Sequence, residues 1–188
     1  FEGGEQLTEG QRLARFENAW GELREAFPKD LEARAFYSLA LRSTADMQDR
    51  TLKTQKEAGA IAESVLAEMP NHPGAHHYII HAYDSPALAD KALVTADHYG
   101  EITPRVPHAA HMMTHIYTRL GQWEKAVEWN TISADAAWEM CLQYGEVNVH
   151  YTHALDYLAY AYLQTGEDRE VGQILKSAEQ LQPERGMT

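Results

Sequence analysis

The sequence predicts an all-α fold, a solenoid of helix pairs, on three observations. The stretch from His72 to Leu120 repeats itself: Pro73, His77, His81 and Tyr83 return 34 residues later as Pro107, His111, His115 and Tyr117. A period of about 34 residues belongs to two-helix repeats. Apolar residues also recur three and four apart in segment after segment, the mark of helices with one buried face. No polar–apolar alternation is sustained, so there is no strand signal.

Taken in order, residues 1–6 read as a frayed entry. Leu13, Phe16, Trp20, Leu23 and Phe27 then form a helical stripe that predicts a helix over 7–27. Pro28 closes it, and Asp30 is placed to cap the next helix, Leu31–Thr44, which carries Ala35, Phe36, Leu39 and Ala40. A polar turn leads into Thr51–Glu68, with Ala58, Ile61, Ala62, Val65 and Leu66 on one face. Pro70 to Pro73 ends that pair, and His76–Tyr83 with Pro86–Gly100 makes the following one, closed by Pro104 and Pro107. His108–Leu120 and a long Gln122–Cys141 form the next pair. After a turn around Gly145, Val149–Gln164 and Glu167–Leu181 complete the last before Pro183. The expected organisation is a single repeat domain over 1–188: a lone helix at 7–27, an irregular repeat at 31–69, and repeats at 73–103, 107–141 and 149–183.

Composition narrows the function classes. The chain of 188 residues is long enough to bury a core, and its 28 acidic against 16 basic residues give a net charge of −12. That balance argues against nucleic acid or an anionic membrane as the main partner. No apolar run approaches the roughly 20 residues of a membrane span. Cys141 is the sole cysteine, which excludes an intramolecular disulfide and a thiolate metal site. The start at Phe1, without methionine or a targeting segment, is what a processed or partial product would show.

The helix pairs resemble tetratricopeptide repeats. Tyr117, Gly121, Trp123 and Ala126 follow that pattern in the third repeat, and Tyr162, Gly166, Ala178 and Pro183 in the fourth. The second has Tyr83, Ala92, Ala96 and Pro104, with Ala87 where glycine would stand. The first departs, with Leu41 at the aromatic position, and the third lacks a closing proline. The resemblance covers nearly the whole chain and implies a right-handed α-α superhelix, with the helix at 7–27 as the second half of a truncated repeat. The wording HYIIHAYDSPALADKAL and PHAAHMMTHIYTRLGQWEKAV also looks like a bacterial subfamily of longer tetratricopeptide proteins that commonly carry a secretory signal. This implies a piece of a larger, periplasmic or secreted protein, and brings no activity with it.

On a helical wheel Ala75, Ile79, Ala82 and Tyr83 centre one face, and His77 and His81 stand nearly opposite. Ala109, Met113, Ile116 and Tyr117 repeat that face, with His111 and His115 opposite and His108 beside them. In the last repeat the matching positions are Asp156 and Tyr160, flanked by His153. The resemblance implies that first helices line a concave groove, so its floor would hold His77, His81, His108, His111, His115, His153, Asp156 and Tyr160. His72, His98 and His150 are read as a turn residue, an outer residue and a helix start. The four tryptophans, and Met112 with Met113, are read as packing.

Three functions fit such a floor. Neutral histidines serve as donors and acceptors for a bound peptide or protein, so the leading expectation is a non-enzymatic scaffold without a cofactor, its partner unnamed by the sequence. The alternative is a site for zinc, copper or nickel from His77, His81, His111 and His115, because a four-residue spacing stacks two imidazoles on one helix face. In that case Asp84 or Asp156 would orient the rings. The third is a metal-dependent or acid–base enzyme, with a histidine as base and Asp156 orienting it. No HExxH, nucleophile motif or phosphate-cradling loop accompanies it.

Overall fold

A computed structural model describes residues 6–103, 105–145 and 149–180. Among them lie nine α-helices and no strand: α1 (Glu9–Ala26), α2 (Leu31–Ser43), α3 (Lys53–Glu68), α4 (Pro73–Tyr83), α5 (Ala89–Ile102), α6 (Pro107–Arg119), α7 (Trp123–Tyr144), α8 (Val149–Thr165) and α9 (Asp168–Gln180). The all-α expectation is met. Residues 1–5, Pro104, Leu181 and Pro183 lie outside the described residues. The chain forms two compact units, Phe1–Asp84 and Ser85–Thr188. Within each, every helix packs on the next, and the first helices of successive pairs also meet, α2 with α4 and α6 with α8.

The first unit is built on local signals. Thr8 and Gln11 form a reciprocal cap at the start of α1. Trp20 then stacks on Phe36 of α2, ring centres 4.6 Å apart. Asp30 caps α2 as expected, accepting from the backbone N–H groups of Glu32 and Ala33 at 2.9 and 3.1 Å. In the connection to α3, Leu52 takes a left-handed φ of 54° that suits glycine better. Ala35, Val65 and Ala75 pack together, and Gly59 lets the Tyr83 ring lie where any Cβ would collide. Helix α4 begins at Pro73 rather than His76. The reason is His72, whose Nδ1 accepts from the Ala75 N–H at 3.1 Å and so acts as the cap.

The second unit shows why tyrosine and glycine stand four apart. Gly121 and Gly166 adopt φ of +68° and +75° at the ends of α6 and α8. In both turns the next residue's N–H (Gln122, Glu167) returns to a tyrosine carbonyl (Tyr117, Tyr162) at 2.9 Å. A glycine makes that reversal without strain. Helix α5 starts at Ala89, not Pro86, because residues 85–88 form a turn closed by the Leu88 N–H on the Ser85 carbonyl at 3.0 Å. Ala134, Ala154, Leu155 and Leu158 make a core between α7 and α8, and Met112 and Met113 are buried as expected. Trp138 packs between repeats rather than in the core: it lies against Tyr151 of α8, ring centres 5.1 Å apart, and is 41% exposed.

Candidate functional site

The site of the second unit grows from three helices. On α6 the four-residue spacing puts His111 and His115 one turn apart, and their Nε2 atoms lie 3.0 Å from each other. On α8 the same spacing sets the His153 and Tyr157 rings edge to face, with centres 5.2 Å apart. Because α8 packs beside α6, the His153 and Tyr157 rings come within 4.4 and 4.6 Å of the His111 ring. From α7, the Asn130 amide meets His111 from the other side, Oδ1 to Nδ1, at 2.8 Å.

The hydrogen bonds assign the protons. Asn130 Nδ2 donates to the Ala126 carbonyl at 2.9 Å, so its Oδ1 must be the atom facing His111. His111 therefore donates from Nδ1 and presents a bare lone pair on Nε2. His115 must fill that lone pair with its own Nε2–H. In neutral form its Nδ1 then accepts from the Tyr157 hydroxyl at 3.3 Å. A single ordered chain runs from Tyr157 through two imidazoles to Asn130 and the backbone of α7.

Burial sets the charge of this cluster. His111 is only 2% exposed, and desolvation pushes its pKa down to about 3; the Asn130 hydrogen bond opposes this, while nearby His115, His153 and His108 add to it. His108 and His153 are also lowered, each mainly by desolvation. His150 and His115 then disfavour charge on His108, and His115 does so on His153 against the opposing pull of Asp156. Beside them an open cleft of about 530 Å³ is lined by His108, Val149, His150, Thr152, His153 and Asp156.

His111, expected on an open floor opposite the core, is instead buried. A wheel shows the neighbours of one face, whereas α6 is covered by both α7 and α8. His108 and His115 are half-buried, and His153, Asp156 and Tyr160 are exposed. Tyr160 leans on the edge of Trp123 with ring centres 5.8 Å apart. The ligand atoms of His111, His115 and His153 lie within 4.8 Å of one another, a grouping fit to hold a metal. The group that orients His111 is Asn130, and neither Asp84 nor Asp156 holds its Nδ1. In the first unit His77 and His81 pair in the same way, Nε2 to Nε2 at 3.0 Å, and both are half-buried. His98, expected to be outer, is half-buried with its Nδ1 3.0 Å from the Glu101 carboxylate.

Sequence reasoning missed Asn130 and Tyr157, though each left a signal. The second helices carry Ala58 and Ala62, then Ala92 and Ala96, then Ala126 and Asn130, at the same 34-residue step. All six are fully buried, so Asn130 is a polar intruder in an alanine stripe. Tyr157 follows His153 by one helical turn and shares its face.

No protein-family model matches the chain, and no curated protein matches it in sequence. Solved structures do. MamA residues 41 to the end, from Desulfovibrio magneticus RS-1, matches with a TM-score of 0.71 at 18% identity, over 95% of this chain and 93% of that one. MamA of MSR-1 matches with 0.67 at 16% identity over 92% and 88%, and MamA of AMB-1 with 0.65 at 16% over 96% and 87%. At such identities the likeness speaks for the fold alone. The fold is that of MamA, a tetratricopeptide-repeat protein.

Proposed function

We propose that the protein is a binding scaffold that takes a peptide or a segment of a partner protein on the first-helix face of its second unit. One observation carries this reading: the cleft of about 530 Å³ beside α8, lined by His108, His150, His153 and Asp156, with Val149 at its edge. It is shallow and open, and it offers hydrogen-bonding imidazole rings with one carboxylate. That is the chemistry of a surface that recognises a chain rather than encloses a small molecule. Helical-repeat folds commonly use such faces. The net charge of −12 and Asp156 favour a segment carrying a basic side chain. Tyr160 extends the face with a half-exposed aromatic ring.

The test is paired capture of partners with wild type and an Asp156→Lys/Tyr160→Ala variant, both positions being exposed and tolerant. Selective loss of a bound protein from the variant, with unchanged helix content and melting, supports the reading. Equal recovery of every partner by both proteins removes this face from the account.

A further inference from the structure

We propose that His111, His115 and His153 form a transition-metal site within the second unit. It takes a tetrahedral divalent ion, zinc before copper or nickel, through three imidazole nitrogens and leaves a fourth position open to solvent beside the exposed His153. Three nitrogen ligands with one open position is a recurrent zinc arrangement, and imidazole suits this class of ion.

Geometry is the first support. In a tetrahedral site with metal–nitrogen bonds of about 2.0–2.1 Å, ligand nitrogens stand about 3.3–3.4 Å apart. The His111 and His115 Nε2 atoms already face each other at 3.0 Å, so they need to part by a few tenths of an ångström. All three ligand atoms lie within 4.8 Å, so His153 must swing inward by at most about 1.5 Å to reach that spacing. It is on the exposed edge of α8 and has room to do so.

The second support is independent of that spacing. A buried amide in an alanine stripe is unfavourable unless it is paired; Asn130 donates its Nδ2–H to the Ala126 carbonyl and turns its Oδ1 to the Nδ1–H of His111 at 2.8 Å, with the Thr114 hydroxyl farther off at 3.4 Å. This holds the ring in the tautomer that aims a lone pair at the cluster, the role that outer partners play around bound metals. His115 is one proton shift from the same state. Without an ion its Nε2 carries the proton given to His111; with an ion that proton leaves, and another is taken up at Nδ1, where the Tyr157 hydroxyl turns from donor to acceptor. The exchange is neutral overall, so the ion displaces no net proton from either ring. The plain structural alternative is a buried His–Asn pair that merely satisfies itself. Extended by the His115 hydrogen bond it accounts for His111, His115 and Asn130, but not for His153 bringing a third ligand atom within 4.8 Å of the other two.

The experiment uses the untagged chain, stripped with chelator and titrated with cobalt(II), a spectroscopic stand-in for zinc, and then with zinc in competition. The expected result is one equivalent of cobalt with the strong visible bands of a tetrahedral site, displaced by zinc and raising the melting temperature. His153→Ala, exposed and harmless to the fold, should weaken binding by about 100-fold or more, and Tyr157→Phe by about 10-fold. His77→Ala/His81→Ala should leave affinity and spectrum unchanged. Absence of stoichiometric binding in the wild type overturns the proposal. So does a His153→Ala protein that binds as tightly, or loss of the ion on removing His77 and His81. The Asp156→Lys/Tyr160→Ala protein retains all three ligands, so failure of partner binding and failure of metal binding are separate results.

Discussion

Two histidine pairs with the same spacing, His77/His81 in the first unit and His111/His115 in the second, have become different objects. Both bring Nε2 atoms to 3.0 Å on one helix face. His77 stays half-buried, whereas His111 is sealed, with Asn130 on one side and the His153 and Tyr157 rings on the other. The 34-residue counterpart of Asn130 is Ala96, which has no side-chain acceptor at all. The shared spacing belongs to the 34-residue repeat itself. One polar residue on a second helix, and two rings on a third, explain the divergence.

The largest test of this contrast is stability. His111→Ala leaves the Asn130 oxygen with the Thr114 hydroxyl at 3.4 Å in place of the ring N–H and opens a void among three rings, and should cost about 2–4 kcal/mol in urea unfolding. His77→Ala should stay within about 1 kcal/mol. Equal losses would mean that burial does not separate the two pairs.

Acid should act on the second unit next. In chelator-treated protein, His111 is held neutral down to about pH 3, while in the unfolded chain it takes up a proton near its ordinary value of 6.5. The folded state therefore binds fewer protons between those values, and stability is lost as pH falls through this window. At about 1.4 kcal/mol per pH unit, the loss reaches about 2 kcal/mol by pH 5. The lowered His108 and His153 act in the same direction. Unfolding measured from pH 7 to pH 5 should show this slope in wild type and His77→Ala, and a shallower one in His111→Gln. An unchanged slope in His111→Gln would place the acid sensitivity elsewhere.

A double-mutant cycle sharpens the point. Asn130→Ala makes α7 resemble α5 and leaves the His111 Nδ1–H without its acceptor. Combined with His111→Ala it should be non-additive by about 1–2 kcal/mol. Additive effects would mean that the 2.8 Å bond is of little energetic consequence.

The smallest effect is a predicted equality. Tyr83 donates to Glu63 at 3.0 Å and Tyr117 donates to Asp97 at 2.8 Å, the same bond one repeat apart. Tyr83→Phe and Tyr117→Phe should each cost about 1 kcal/mol. Where the repeats kept their partners, the two units should respond alike.

Much of this molecule was legible as a string. The Pro73/Pro107 register, the three- and four-residue apolar spacing, and Gly121 and Gly166 four residues after a tyrosine are local features with local causes, so the helices and turns followed from them. The boundary errors were local as well: His72 is an unfamiliar capping residue, and Pro86 lies inside a turn. Even the four-residue histidine pairs were correct as pairs, because one helix alone decides which side chains stack. What the string could not show was which face of α6 a neighbour would cover. A wheel places His111 opposite the core, yet α7 and α8 close over it, and its burial, its lowered pKa and its proton all follow from that contact. His111 meets Asn130 across 19 residues of sequence, and His115 meets Tyr157 across 42. Spacing along a chain specifies neighbours on the same helix; neighbours on different helices are chosen by packing, and the site belongs to the second kind.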